Sequence, residues 1–509
     1  MTAITPAPTS LIACIILVRL TIYLLSANQY GFMSDELYFL DASYHPALGY
    51  VDFPPVIAWL FAVIRILFSE ALWIFRLAAA LIGVVVVLVA VDICRLTGGG
   101  PVARWVTAGI VLFAPGVLSV HGLLTMNVLD QLWWLLSFWL LIQYLVHGKK
   151  AFMWGLGAVL GVGIMTKLSI AALALGILAA TLALRRDLFR KPETWGAAVL
   201  AIVISAPFLI WQIQNEFPLL DFIRAYNATP PAAIVLQNPV LGLLITMSPL
   251  YALIWIPGAV AILATGDAKL RFLGVAAWVA LGIFVLAGVK FYFAVPALIL
   301  FSAIGANCWE RWTGQKFGRR SVVLVAIVML SGLLAVPIAA PVLPAGRLQD
   351  IANYLRNAEA GQVLEEPAGL ERYFPHFAEM HGWPELVALT SELAGRERKI
   401  PSDELLIVAA HYGQAAALNR LDHDGLLPVA YSGHMSYDLW NRQVDFQRGL
   451  FVGFSAEELQ TMFAVVESRG RMDCVRCMGR ERALRIFFVD EPKLTNAEIR
   501  QRIRRYYFF

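Results

Sequence analysis

The stretch SDELYFLDASYHPALGYVDFPPVIAW, residues 34–59, carries four carboxylates between two apolar parts of the chain. It follows an apolar run at 10–27 and closes with the pair Pro54–Pro55, after which apolar sequence resumes. The four carboxylates are Asp35, Glu36, Asp41 and Asp52. Charged groups are costly beside a hydrocarbon core, so a cluster of them in this place requires a reason.

These carboxylates have two interpretations. Asp41 taken alone fits a solvated loop between two membrane helices, where charged side chains are ordinary. Asp35, Glu36 and Asp52 have aromatic and proline neighbours, and that combination favours an active site at the membrane face.

The composition of the whole chain is that of a membrane protein. Of its 509 residues, 59% are hydrophobic and 15% are charged, which is far from the balance of ordinary soluble domains. A hydrocarbon core about 30 Å thick requires roughly 20 apolar residues per helix, and such runs recur from Leu11 to Pro337. Eleven runs predict about 11 transmembrane helices: 10–27, 71–94, 102–120, 128–146, 152–165, 168–184, 195–211, 240–264, 272–288, 291–308 and 321–338.

The chain changes character after residue 340. Residues 341–509 are rich in Asp, Glu, Arg and His and contain no apolar run of that length, which predicts a water-facing domain after a transmembrane domain at 1–340. Two of its stretches resemble buried strands and two have helical spacing: 405–410 and 483–489, then 384–393 and 456–466. The predicted fold class is a polytopic α-helical membrane protein with a C-terminal α/β domain.

The connecting loops predict the orientation, because Lys and Arg are enriched on the cytoplasmic side of membrane proteins. With a cytoplasmic N-terminus, the inside loops hold fourteen basic residues and the outside segments hold four: Arg65, Lys167, Arg224 and Lys290. This topology places a first outer segment at 28–70. Since an odd number of spans precedes it, the C-terminal domain is expected on the outer face too.

Carboxylates and cations on one face can together support group transfer. Transfer onto a hydroxyl requires a base beside the O–H group, aligned with the reacting carbon of the donor. A leaving phosphate requires a cationic cradle, for which the outer-side candidates are Lys290, Lys167 and Arg76.

Two further features bear on partners and redox state. The net charge is only +4 and the basic residues lie in short loops, which argues against nucleic acid as a partner. Cys474 and Cys477 form a CVRC motif with no second pair, which is weak support for a metal site. In a domain outside the cytoplasm, a local disulfide is favoured over free thiols.

The block DELYFLDASYHPALGYVDFPPVIAWL, at 35–60, resembles the first outer loop of polyprenyl-phosphate-sugar-dependent glycosyltransferases of the GT-C superfamily. This superfamily includes the dolichyl-phosphate-mannose protein mannosyltransferases and the bacterial lipid A aminoarabinose transferases. Further blocks agree in order and spacing: MNVLDQLWW (126–134), GIMTKLS (163–169), LIWQIQNEFPLLDFIRAY (209–226) and KFYFAVPALILFSAIGA (290–306). HYGQAAALN (411–419) and SGHMSYDLW (432–440) resemble the soluble domain of a bacterial branch.

The resemblance implies roles for the first outer segment. Asp35 matches the general base for the acceptor hydroxyl, and Glu36 supports the loop, contacts the acceptor or helps to hold a metal. Asp52 matches the acidic position before the proline pair, where relatives often have a basic residue or His next. That next residue is Phe53 here, a departure that puts a phosphate contact at this position in doubt.

It also implies the residues that bind substrate. Lys290 matches a basic position that faces the lipid-linked phosphate in relatives, and Arg76 can meet an anionic head group. Asp130 either joins the site from the second outer loop or only interacts with its helix dipole. Lys167 either contacts phosphate or extends to the interface. A divalent metal fits oxygen ligands, although no spacing pattern requires one.

The implied activity is inverting transfer in the bacterial inner membrane. A polyprenyl phosphate presents its sugar at the periplasmic face to a hydroxyl of an envelope acceptor, such as lipid A, core oligosaccharide or another glycan. A protein O-glycosyltransferase of the same superfamily is one alternative. The other is a flippase or transporter for the lipid-linked sugar. Internal repeats and polar groups near the bilayer midplane would favour that alternative, and the sequence displays neither feature.

Overall fold

The computed structural model describes residues 8–228, 238–314, 317–360, 362, 367–397, 405–440 and 444–506. Within these ranges seven helices are long and apolar enough to cross a membrane: Thr9–Ser26, Leu72–Leu96, Met126–His147, Pro192–Gln214, Ala268–Leu286, Phe291–Thr313 and Arg319–Ala339. An eighth candidate is a helix pair, Val240–Met247 and Pro249–Ala264, which is bent by 109° at the break between its two parts.

Shorter apolar helices account for the other predicted runs. These helices are Pro101–Phe113, Lys150–Ile164 and Ser169–Leu184, and Pro115–Val120 continues the first of them after a break. The predicted α-helical membrane fold is confirmed. The predicted count of eleven spans exceeds the seven or eight that helix length and composition support in the described ranges.

Glycines allow the helices around the site to approach each other closely. A Cβ on Gly258 would lie 1.9 Å from the carbonyl oxygen of Phe301, and one on Gly305 would lie 1.8 Å from that of Ile254. Small residues permit such backbone contact between membrane helices. The contact fixes the helix Val295–Thr313 in the bundle, and with it the 3₁₀ turn Phe291–Ala294 that precedes it.

The first outer segment folds into two short helices, Ser34–Ala42 and Val56–Leu67. Asp35 and Glu36 lie in the first turn of Ser34–Ala42, where the helix dipole favours negative charge. The carboxylates interpreted as loop residues therefore begin a helix. A further helix, Pro218–Ala228, lies in the connection after Pro192–Gln214.

The C-terminal domain is built on one five-stranded sheet in the order β2-β1-β3-β5-β4. Its strands are β1 (Leu406–Ala409), β2 (Ala430–Ser432), β3 (Gly449–Val452), β4 (Phe463–Asp473) and β5 (Ala483–Pro492). β1 pairs in parallel with β2 and β3, whereas β5 is antiparallel to β3 and β4. The helices of this domain include Ala345–Ala360, Trp383–Arg396, Tyr412–Arg420, Tyr437–Trp440, Ala456–Gln460, Gly479–Arg482 and Asn496–Ile503.

Three of the four predicted elements of this domain are confirmed: β1, β5 and the helix Trp383–Arg396. The helix predicted at 456–466 is wrong beyond Gln460, because Phe463 begins β4 and pairs with Pro492 of β5. Tertiary pairing overrides local spacing there. Cys474 and Cys477 form the predicted local disulfide.

The C-terminal domain packs on the helix Ser34–Ala42 through a buried ion pair. Arg420 Nε lies 2.9 Å from Asp41 Oδ1, and Asn419 Nδ2 donates to Asp41 Oδ2 over 3.0 Å. The Tyr437 hydroxyl donates to the same carboxylate. Asp41 is fully buried, so its interpretation as a solvated loop residue is wrong.

Candidate active site

Glu36 anchors the start of the helix Ser34–Ala42. Its Oε2 accepts a hydrogen bond from the backbone N–H of Met33 over 3.1 Å, and its Oε1 accepts one from Leu124 over 3.3 Å. Arg76 Nη2 lies 3.4 Å from Oε2, and both side chains are buried. Among the three roles predicted for Glu36, these contacts favour support of the segment.

Arg76 holds the turn that precedes this helix. Its Nη1 donates to the carbonyl oxygens of Ala27 and Tyr30 over 3.1 and 3.3 Å, and its Nη2 donates to that of Gly31 over 2.6 Å. The side chain is only 2% exposed. This geometry gives no support to a phosphate contact by Arg76, and it makes the residue a partner of Glu36.

Asp35 lies beside Glu36 but faces the C-terminal domain. The Tyr412 hydroxyl donates to Asp35 Oδ1 over 2.7 Å. The preceding residue, Ser34, donates from its hydroxyl to Glu379 Oε2 over 2.9 Å. Asp35 therefore lies at the contact between the first outer segment and the C-terminal domain.

The surroundings of Asp35 bring its pKa closer to neutral pH. Burial raises the pKa of Asp35 to about 6, and the negative charge of Glu379 acts in the same direction. The hydrogen bond from Tyr412 and the positive charges of Lys290 and Arg480 lower this pKa. A base with a pKa near the working pH is both unprotonated and able to accept a proton, so Asp35 suits general base catalysis.

Asp52 is linked to the same helix through Tyr38, whose hydroxyl donates to Asp52 Oδ1 over 2.9 Å. The Tyr38 oxygen in turn accepts the backbone N–H of Ser436 over 2.9 Å. Burial raises the pKa of Asp52 to about 7, the Tyr38 hydrogen bond opposes this, and the charge of Asp35 raises it further. Asp35 and Asp52 thus lie within electrostatic reach of each other.

Phe53, at the position where the resemblance led us to expect a basic residue or His, is fully buried among aromatic rings. Its ring centroid lies 4.5 Å from that of Tyr50 and 5.3 Å from that of Tyr38. The departure from the expected pattern therefore puts a buried aromatic side chain, rather than a cation, next to Asp52 in the sequence.

Lys167 and Asp130 come together on the bundle side of the site. Lys167 Nζ donates to Asn127 Oδ1 over 2.7 Å and lies 3.7 Å from the ring centroid of Phe293. Burial lowers the pKa of Lys167 to about 8, with the nearby charge of Asp130 opposing this and that of Lys290 adding to it. Asp130 also accepts a hydrogen bond from the Ser169 hydroxyl over 2.5 Å.

Lys290 completes the cluster from the turn before the helix Val295–Thr313. Its Nζ lies 6.0 Å from the ring centroid of Tyr292, and its charge acts on both Asp35 and Lys167. The structure therefore places four of the predicted residues in a series in which each lies within electrostatic range of the next, with Asp52 within range of Asp35: Asp35, Lys290, Lys167 and Asp130. Glu36 and Arg76 lie behind this cluster as support.

The sequence interpretation missed what the C-terminal domain adds to the site. Tyr412 and Ser436 lie in the blocks HYGQAAALN and SGHMSYDLW, whose resemblance to a soluble domain was the available signal. Glu379 and Arg480 carry no sequence signal, and Arg480 Nη2 lies 3.8 Å from Glu379 Oε1. The site is thus assembled from residues of both parts of the chain.

The described part of the chain contains no group of three or more His, Cys, Asp and Glu side chains arranged to hold a metal ion. The Glu36 carboxylate is already engaged by two N–H groups and a guanidinium. A divalent metal therefore stays a prediction.

Comparison with known proteins agrees with this architecture. Residues 52–211 match the family model described as dolichyl-phosphate-mannose-protein mannosyltransferase. ArnT from Cupriavidus metallidurans bound to undecaprenyl phosphate has 17% sequence identity and a TM-score of 0.59, covering 94% of this chain and 98% of that one. The apo state of the same ArnT has a TM-score of 0.60 at the same identity and coverage.

A more distant likeness is to the Archaeoglobus fulgidus oligosaccharyltransferase in complex with zinc and sulfate. Its TM-score is 0.47 at 15% identity, with 87% of this chain and 68% of that chain covered. A search of curated proteins found no match.

The chain therefore has the multi-pass helical membrane fold of the ArnT structures, as the resemblance of the sequence blocks implied. One segment of the chain, residues 52–211, also matches the mannosyltransferase family model.

Proposed function

We propose that this protein is an inverting glycosyltransferase that moves a sugar from a polyprenyl phosphate to a hydroxyl group of a bacterial envelope acceptor. The observation that carries the proposal is that Asp35, a carboxyl group hydrogen-bonded by Tyr412, lies within electrostatic range of Lys290, whose charge also acts on Lys167. A base and two cations in one cluster are what such a transfer requires.

The proposed reaction gives each of these residues a role. Asp35 accepts the proton of the acceptor hydroxyl while the acceptor oxygen forms a bond to C1 of the sugar. The bond between C1 and the phosphate oxygen breaks on the opposite side, and the phosphate leaves with the electron pair. Configuration at C1 is therefore inverted. Lys290 and Lys167 stabilise the charge that develops on the leaving phosphate.

The donor is proposed to be lipid-linked for two reasons. The ArnT structure with the same fold is bound to undecaprenyl phosphate. In this chain, Lys167 lies against Phe293, and Lys290 against Tyr292, at the end of apolar helices, where a phosphate could meet cations while its lipid remains in the bilayer.

The proposed location is the bacterial inner membrane, with the N-terminus in the cytoplasm and both 28–70 and 341–509 in the periplasm. The distribution of basic residues supports this orientation. Nucleotide sugars are absent from that compartment, and a sugar already activated as a lipid phosphate does not require them. The acceptor is proposed to be an envelope glycolipid, lipid A or core oligosaccharide, because the C-terminal blocks resemble a bacterial branch.

One reconstitution experiment tests the proposal. Purified protein in liposomes receives a labelled polyprenyl-phosphate sugar with lipid A, with a mannose-acceptor peptide, or with no acceptor. Labelled lipid A together with released polyprenyl phosphate supports the proposal, and labelled peptide would point to protein O-glycosylation. Movement of the intact lipid across the bilayer without transfer would identify a flippase and overturn the proposal.

The sugar and the natural acceptor are identified in cells. Mass spectrometry of envelope glycolipids from a deletion strain should show loss of one sugar residue, restored by the wild-type gene. An unchanged envelope glycolipid profile, with a change confined to glycoproteins, would move the proposal to a protein acceptor.

A further inference from the structure

Tyr412 of the C-terminal domain is the side chain that directly engages the proposed base. Its hydroxyl donates to Asp35 Oδ1 over 2.7 Å, across 377 positions of sequence. The residue is 3% exposed, so this hydrogen bond is shielded from water. A buried hydrogen bond to a charged acceptor is among the stronger ones.

The Tyr412 ring is held in place from several sides. Its backbone N–H donates to His434 Nδ1 over 3.2 Å, and its ring stacks on Tyr38 with centroids 4.6 Å apart. It occupies the first position of the helix Tyr412–Arg420, whose N-cap His411 accepts the N–H of Gly413 over 3.1 Å. The hydroxyl therefore has a fixed direction toward Asp35.

Tyr38 connects this contact to the second carboxylate of the site. The ring of Tyr38 stacks on that of Tyr412, and the hydroxyl of Tyr38 donates a hydrogen bond to Asp52. Two tyrosines, one from each part of the chain, thus pair with the two carboxylates. Because the C-terminal domain supplies one of them, packing of that domain on the first outer segment brings a hydrogen-bond donor to Asp35.

We propose that Tyr412 is a positioning residue for transfer: its hydroxyl orients the Asp35 carboxylate toward the acceptor and keeps that carboxylate unprotonated at working pH. This inference rests on the proposed function of Asp35 as the base. The charged and titratable groups that act on Asp35 are Glu379, Arg480, Lys290 and Tyr412. The charge of Asp35 in turn acts on Asp52 and Tyr292. Of these groups, Tyr412 donates the hydrogen bond that sets the direction of the carboxylate.

The test is Tyr412→Phe, which keeps the stacked ring and removes only the hydroxyl. Tyr437→Phe is the matched control, because Tyr437 is another buried tyrosine of the same domain whose hydroxyl donates to Asp41 instead of Asp35. We expect Tyr412→Phe to lower kcat at neutral pH by about tenfold or more, with little change in the KM for donor. The acid limb of its pH–rate profile should move to higher pH by about one pH unit, so activity partly recovers in alkaline buffer.

The control separates positioning from domain docking. Tyr437→Phe should keep the wild-type acid limb, even where its melting temperature falls. An unchanged acid limb and an unchanged kcat in Tyr412→Phe would overturn the inference. An equal shift of the acid limb in Tyr412→Phe and Tyr437→Phe would also overturn it, because Tyr412 would then act only in docking the domain.

A second measurement does not depend on turnover. Infrared difference spectroscopy follows the carboxyl band of Asp35 with pH, assigned by its loss in Asp35→Asn. The Asp35 titration should lie at higher pH in Tyr412→Phe than in wild type, and identical titrations would refute the inference. If the wild-type protein transfers no sugar but the Asp35 titration still lies at higher pH in Tyr412→Phe than in wild type, the proposed function is refuted and the Tyr412 contact is supported.

Discussion

The buried contact between Asp41 and Arg420 gives a prediction about how the C-terminal domain is held on the first outer segment. Asp41→Ala removes a fully buried carboxylate that pairs with Arg420 and accepts hydrogen bonds from Asn419 and Tyr437. We expect a large decrease in the free energy required to separate the C-terminal domain from the helix Ser34–Ala42, because the donors Asn419 and Tyr437 and the cation Arg420 lose their acceptor.

The magnitude follows from the geometry. Removing one partner of a buried ion pair costs about 3–5 kcal/mol. The Arg420 side chain is 19% exposed and keeps some hydration, so the lower end of that range applies. Asn419 Nδ2 retains the carbonyl of Ala430 at 3.2 Å, whereas the Tyr437 hydroxyl loses the acceptor described for it. We therefore expect about 3 kcal/mol for Asp41→Ala.

Native-state hydrogen exchange measures this quantity without global unfolding. Amides of the helices Ser34–Ala42 and Tyr412–Arg420 should lose protection together in Asp41→Ala. The double variant with Arg420→Ala should be less destabilised than the sum of the two single variants by about 1 kcal/mol or more, since no charge remains buried alone. The control is Asp187→Ala, whose partner Arg185 lies 2.8 Å away at an exposed site, and a change within about 1 kcal/mol is expected there. Additive single effects, or a loss below about 0.5 kcal/mol for Asp41→Ala, would refute the reasoning.

Three further predictions concern the site and its support. Because Asp35 must be unprotonated to act as a base and its pKa is about 6, kcat/KM should fall as pH drops through about 6, and a flat profile from pH 5 to 8 would contradict that role. Lys290→Ala should raise the KM for the lipid donor about tenfold by removing a charged phosphate contact, and unchanged donor dependence would exclude this contact. Arg76→Ala should destabilise the protein by about 3 kcal/mol by leaving Glu36 buried without its cation, as judged by denaturant unfolding in mixed micelles; stability equal to wild type would argue against this supporting role.

The membrane part of the fold could largely be predicted from sequence. Apolar runs near the length of a bilayer appear as helices throughout the described ranges, since length and composition alone decide that outcome. The helix Ser34–Ala42 was not predicted, because the charged residues of its first turn are typical of a loop between membrane helices. The negative side chains there stabilise the helix N-terminus, and Glu36 caps it.

Long-range partners explain most of what sequence reasoning could not reach. Asp41 appeared to be solvated because its amide partner, Asn419, is 378 positions away. The same holds for Tyr412 and Asp35, which no local pattern connects. Lys290, Lys167 and Asp130 were selected as candidates from sequence because charged residues at the ends of apolar helices require a partner or a function. Their common location became visible only in the folded chain.

Turnover by Asp35→Asn shows whether this carboxylate removes the proton from an acceptor that attacks a lipid-phosphate sugar. In liposomes with a labelled donor and acceptor, the variant should bind donor as wild type does and transfer sugar at least about a thousandfold more slowly. Transfer at a rate near that of wild type would contradict the account.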